Sequence, residues 1–162
     1  MNIKSIAILT GTLFFTPILF AATSTTTFTV SAEVSADCSV SANNLTFDTY
    51  DPTSSSNDDA TTTIDLTCTA TTPFNIGLNA GTGTGATVTT RILTNGASTL
   101  DYSLYRDASR TLVWGNTPST DTMTSIGTGS EQEFTVYGRL PGSQAGAIPG
   151  TYSDTITVTV TY

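Results

Sequence analysis

TTTFTVSAEVSADC, residues 25–38, alternates apolar and polar side chains. Phe28, Val30, Ala32 and Val34 fall on one side; Thr27, Thr29, Ser31 and Glu33 fall on the other. A period of two is the signature of a half-buried β-strand. No turn signal joins this strand to a hairpin partner, so what it pairs with decides how the fold is completed.

The residues before it read as a secretory signal peptide. Lys4 gives a positive start, Ile6 to Phe20 is mostly apolar, and small residues follow at Ala21-Ala22. Thr10, Gly11, Thr12, Thr16 and Pro17 interrupt the apolar run, which falls short of the ~20 residues a membrane span needs. The expectation is a signal over 1–21 cut after Ala21, an extension over 22–35 and one domain over 36–162.

Beyond residue 21 the chain has no lysine and four arginines, Arg91, Arg106, Arg110 and Arg139, against thirteen acids, a formal charge of −9. Such a chain does not hold nucleic acid by electrostatics. It has no histidine, which removes the usual general base and the commonest metal ligand. A serine nucleophile would lack a base, and no carboxylate pair is placed across a cleft by its spacing. Asp48, Asp51, Asp58 and Asp59 lack the spacing of a calcium loop and read as a solvated turn. GTGTG (81–85) lacks the Lys-Ser/Thr of a phosphate loop and reads as a flexible surface loop. Asn44-Leu45-Thr46 fits an N-glycosylation acceptor, a tripeptide common by chance. No catalytic residue, metal site or cofactor is expected, and the chain reads as no enzyme.

In a secreted chain Cys38 and Cys68 read as one disulfide, closing a loop worth roughly 3.5 kcal/mol in the chain-entropy model; two free thiols are the other reading. Cys38 shares the register of Phe28 to Val34, and Cys68 that of Ile64 and Leu66, so both point at the core if the strands run unbroken.

Further period-two runs follow. Thr61 to Ala70 puts Ile64, Leu66, Cys68 and Ala70 on one face. Phe74, Ile76 and Leu78 form another run, then Leu100, Tyr102 and Leu104; Leu112 and Trp114 make a short one; Phe134 and Val136 lead into Gly138. The last run puts Tyr152, Ile156, Val158, Val160 and Tyr162 on one face and threonines on the other. Polar or Gly/Pro loops separate them at 51–59, 79–90 and 140–150. No stretch has a helical period. The pattern predicts an all-β sandwich.

Several segments together resemble the spore coat protein U domain of archaic chaperone–usher pilus subunits. They are ADCSV, LTFDTYDP (45–52), LTCTATTPFNIGLNAG (66–81), RILTNGASTLDYSLYRDASRTLVWGN (91–116), VYGRLPGSQ (136–144) and GTYSDTITVTVTY (150–162). Asp48 departs from the glycine the family often has there. The resemblance implies an immunoglobulin-like sandwich lacking one strand, an incomplete pilin fold with an N-terminal donor-strand extension. It implies a periplasmic chaperone that fills the groove first, an outer-membrane usher where the next subunit's extension replaces it, and a fimbrium at the cell surface supporting adhesion or biofilm. The donor residues would be Phe28, Val30, Ala32 and Val34. The groove edge would be Ile156, Val158, Val160 and Tyr162. The competing readings are a self-contained sandwich whose first strand is residues 25–38, a spore-coat or matrix protein, and a carbohydrate-binding sandwich using Trp114 and tyrosines.

Overall fold

The computed structural model describes residues 19–162. The expected signal peptide, apart from its last three residues, lies outside them. The chain divides into two compact units, Met1–Glu33 and Val34–Tyr162. In the first, residues 19–33 form no strand or helix, and every one of them is exposed.

The second unit is all β. Its strands are β1 (Cys38–Ala42), β2 (Asp58–Cys68), β3 (Pro73–Leu78), β4 (Arg91–Asn95), β5 (Ser98–Tyr105), β6 (Met123–Ile126), β7 (Glu131–Leu140) and β8 (Val158–Thr161). One sheet runs β1-β2-β7-β5-β4 and the other β6-β3-β8, with every pairing antiparallel.

Alternation along the strands builds the core. Ile64, Leu66 and Cys68 on β2, Leu100, Tyr102 and Leu104 on β5, and Val136 and Leu140 on β7 turn inward from the larger sheet. Phe74, Ile76 and Leu78 on β3 are buried in the same core. Phe74 meets Phe134 edge-on at 5.9 Å between ring centres. Trp114 is fully buried, and its indole N–H donates to the Ile76 carbonyl at 2.8 Å, satisfying the one polar atom it carries inside.

Cys38 and Cys68 form the disulfide, and they stand directly opposite each other in the β1–β2 ladder. The neighbouring Thr69 amide donates to the Asp37 carbonyl. That places the cysteines at a non-hydrogen-bonded pair, where facing Cα atoms come closest; theirs are 4.1 Å apart.

The structure departs from the sequence expectations at definite places. β2 starts at Asp58, inside the expected loop, and stops at Cys68, leaving Ala70 exposed in a turn. Residues 25–37 are in no strand. Leu112 and Trp114 form no strand of their own: Val113 makes a single bridge to Tyr105, Leu112 is half exposed and Trp114 is core. The GTGTG loop is tethered rather than free, because Gly81 donates to Asn79 and Thr82 donates twice to Asp154.

The final run is not one continuous strand. Ser153 exchanges both backbone hydrogen bonds with Thr94, beside β4 of the larger sheet. Residues 158–161 pair instead with β3 of the smaller sheet. The chain crosses from one sheet to the other between these points.

Candidate functional site

Between the two sheets lies an open cleft of about 1060 Å³. Its floor is core: Ile64, Val136, Leu100, Tyr102, Leu104 and Leu78. One wall is the segment from Asn43 to Tyr50, the other the chain from Gly150 to Val158.

The first wall has strand-like side chains but no ladder. Leu45 and Phe47 are half-buried, while Asn44, Thr46 and Asp48 are exposed. Among the described residues, no backbone–backbone hydrogen bond involves residues 44–50. Gly138 on β7 lets this wall sit close to the sheet. A Cβ there would stand 2.8 Å from Leu45 Cδ1 and 3.0 Å from Phe47 Cζ, distances only an absent side chain allows. At the far end the Tyr50 hydroxyl donates to the Pro141 carbonyl.

The second wall is half-buried at every even position: Tyr152, Asp154, Ile156, Val158 and Val160. Ladder parity explains what its backbone does. The Asn79 amide donates to the Thr157 carbonyl, and Thr159 and Thr161 pair with Gly77 and Asn75 in the same phase. The odd residues therefore spend their backbone groups on β3, and the even ones aim theirs at the opposite, unoccupied edge. Asp154 and Ile156 have no backbone–backbone hydrogen bond to any described residue.

Burial tells the same story. Ile76 and Leu78 on β3 are 0% and 1% exposed, yet their register partners Val160 and Val158 are only half-buried. The smaller sheet is sealed at β3 and open at β8. Two walls with unpaired backbone edges flank an apolar floor, the situation in which an added strand is favourable. A small ligand could fill part of the space, although the cleft lies at the top of the roughly 300–1,000 Å³ range of small-molecule pockets. It could not satisfy two strand edges.

One inward position on the second wall is polar. Asp154 accepts from the Thr82 amide (2.7 Å), the Thr82 hydroxyl (2.8 Å), the Tyr102 hydroxyl (2.8 Å) and the Thr155 amide (2.7 Å). Burial pushes its carboxyl up, but the hydrogen bonds from Thr82, Tyr102 and Thr155 together hold it below the ordinary value. Burial, followed by the bond to Asp154, pushes the Tyr102 phenol far above its usual range, so it stays a donor. Beneath them Arg91 is wholly buried. Its guanidinium donates to the carbonyls of Asn79, Val88, Leu78 and Trp114.

Of the residues singled out from sequence, Ile156 and Val158 line the cleft. Val160 is half-buried on β8 but outside the cleft lining. Tyr162 is 55% exposed, its hydroxyl 3.5 Å from an Asp37 carboxylate oxygen. Phe28, Val30 and Val34 are 85%, 82% and 82% exposed, and Ala32 is exposed too. Trp114, buried throughout, has no face to offer a sugar. Sequence reasoning missed the first wall, Leu45, Phe47 and Tyr50, although Leu45-Thr46-Phe47 carries the period-two signal. It also missed Asp154 and its partner Tyr102. Among the described residues no group of three or more His, Cys, Asp or Glu is arranged to hold a metal.

The family model described as Spore Coat Protein U domain matches residues 24–159. Protein U of Myxococcus xanthus is 36% identical over 158 residues, an alignment covering 88% of this chain and 87% of the relative. Among solved structures, the CsuC–CsuE chaperone–tip adhesion subunit pre-assembly complex from the archaic chaperone–usher Csu pili of Acinetobacter baumannii matches with a TM-score of 0.59 at 21% identity. That match covers 80% of this chain and 40% of the other, and at this identity it shows a shared fold.

Proposed function

The chain belongs to the Spore Coat Protein U domain family, and on that premise we propose that it is a structural pilin subunit of an archaic chaperone–usher fimbria that polymerises by donor-strand exchange. Its residues 22–35 act as donor strand for a neighbouring copy, with Phe28, Val30, Ala32 and Val34 entering the cleft. The acceptor edge is the wall carrying Ile156, Val158 and Val160, with Tyr162 at its end. A periplasmic chaperone occupies the cleft before assembly, and an outer-membrane usher is where exchange happens. The product is a surface fimbrium that supports adhesion or biofilm.

The observation that carries this reading is the cleft bounded by two unpaired backbone edges. The complementary piece is an exposed segment with the right period and no strand partner. A head-to-tail contact of this kind does not close on itself and grows into a filament. Burying Phe28, Val30 and Val34 is worth about 5–9 kcal/mol before the cost of association. That rivals the whole stability of a small domain. An unoccupied body should therefore be marginal, and an inserted strand should stabilise it strongly.

The test is the double variant Phe28→Asp/Val30→Asp. Ladders on a non-boiled gel should vanish while the body still co-purifies with a co-expressed periplasmic chaperone. Unchanged ladders would sink the proposal, as would a stable full-length monomer with no chaperone present. The family's description favours a second reading, a spore-coat or matrix protein. Electron microscopy of cells with and without the gene separates a fibre from a layer.

A further inference from the structure

The cleft's second wall is apolar or aromatic at Tyr152, Ile156 and Val158 and acidic at Asp154. The donor segment's inward side chains are large at Phe28, Val30 and Val34 and small at Ala32. Each set places four side chains at every second residue over seven residues, about 20 Å of extended chain. Over these four positions the two can overlap in full in either of two directions, and Val160, half-buried two residues on, also permits an antiparallel overlap over 154–160 that would set Val34 beside Asp154. Laid antiparallel, Phe28 falls beside Val158, Val30 beside Ile156, Ala32 beside Asp154 and Val34 beside Tyr152. Laid parallel, Val30 falls beside Asp154 and Ala32 beside Ile156.

We propose that Asp154, held by Tyr102 and Thr82, fixes the direction and register of the incoming donor strand by accepting only the small side chain of Ala32 beside it. This inference rests on the pilin reading above and deepens it.

The physical reason is that Asp154 cannot move aside or lose its charge cheaply. Its oxygens are fixed from both sides, by Tyr102 from the core and by Thr82 from the 81–85 loop. That loop packs so closely that a Cβ on Gly81, which has a φ of 86°, would overlap the carboxylate. A branched apolar side chain pressed onto the group strips its remaining water without offering a hydrogen bond. Alanine leaves that hydration in place. Backbone parity agrees. The even residues of the wall point their N–H and C=O groups into the cleft, so an even residue of an antiparallel donor faces each of them and turns its side chain to the same floor.

Cross-linking reads the register directly. In the antiparallel overlap Thr29 lies opposite Thr157, at a non-hydrogen-bonded pair where Cα atoms approach to about 4.5 Å and a disulfide fits. In the parallel overlap Thr29 lies opposite Ser153. Full-length protein carrying Thr29→Cys with Thr157→Cys should give covalent multimers on boiled, non-reducing gels. The pair Thr29→Cys with Ser153→Cys should not. Cross-linking of the second pair instead, or of neither while non-boiled ladders persist, overturns this register and leaves the pilin reading standing. Loss of ladders from the unmodified protein removes both. Independently, Ala32→Leu should lower ladder yield about tenfold through overpacking; an unchanged yield overturns the role given to Asp154.

Discussion

Arg91 shows how much of this fold depends on single side chains. Its guanidinium is fully buried, and it joins four carbonyls from three separate parts of the chain: the end of β3 and the residue after it, the loop before β4, and the Trp114 turn. Lysine cannot replace the planar fork, since one ammonium does not reach the same spread of acceptors. Arg91→Met strands those carbonyls and should lower unfolding free energy by about 3–5 kcal/mol, measured by denaturant titration of the assembled protein.

Acid stability belongs to the same scale. Asp59 is held below the usual carboxylate value first by its paired bonds from Arg139, at 2.7 and 2.8 Å, and further by Arg110. Asp107 is lowered first by the Ser109 hydroxyl, then by the Leu112 and Thr111 amides. Asp51 is lowered by Thr53. With Asp154 that makes four carboxyls whose folded values lie below the unfolded 3.8. Each contributes stability that is full above 3.8 and is lost as pH falls toward the lower folded value. Asp58 runs the other way: burial first, then Asp48 and Asp59, raise it, so its protonation on acidification relieves a penalty. Four against one predicts a melting temperature that falls as pH drops below about 4. A melt that rises through that window would contradict the assignment.

At the scale of elements, alternate residues of β8 and the segment before it have opposite fates, while residues 44–50 have no backbone–backbone hydrogen bond at all among the described residues. Amide exchange should be slow at Thr159 and Thr161, which pair with β3, in both unoccupied body and polymer. Val158, Ile156 and alternate amides within residues 45–49 should exchange fast in the body and become protected in the polymer. Equal protection in both states would mean the cleft never receives a strand. The β1–β2 staple makes a separate prediction. Cys38→Ser opens a link between residues 30 apart in sequence and should cost about 3.5 kcal/mol, read from the denaturation midpoint.

Elements also show what alternation could and could not reveal. The runs at Ile64–Cys68, Phe74–Leu78 and Leu100–Leu104 were legible because each has one wholly buried face, and Phe134–Val136 because Val136 is buried and Phe134 packs half-buried against the core. Leu112 and Trp114 share a register but not an environment. The Asp107 carboxylate gathers Thr111 and Leu112 into a turn, and the Trp114 amide returns to the Leu104 carbonyl at 2.9 Å, so a tertiary contact overrides the period. β4 and β6 are five and four residues long, too short for the pattern to stand out.

For the whole molecule, charge would oppose the proposed assembly that apolar burial favours. Each copy beyond residue 21 carries four arginines against thirteen acids, so neighbours repel at low ionic strength. Raising salt from about 0.01 to 0.15 M shortens the screening length from roughly 30 to 8 Å and should speed polymer growth from purified chaperone-bound subunits. Growth that slows with salt would point to attractive ion pairs at the contact.

The sequence by itself determined the β class, the faces of the long strands and the presence of an apolar segment alternating over residues 25–38. These are local, and a period of two or a residue count reports them directly. The cleft was decided only by tertiary structure. Its walls join Leu45 and Phe47 to Ile156 and Val158, more than a hundred residues on, and alternation reads the same whether the inward face is sealed or half open. Only the packed structure shows that β3 is covered, that β8 is not, and that the chain crosses between sheets where Asp154 is held.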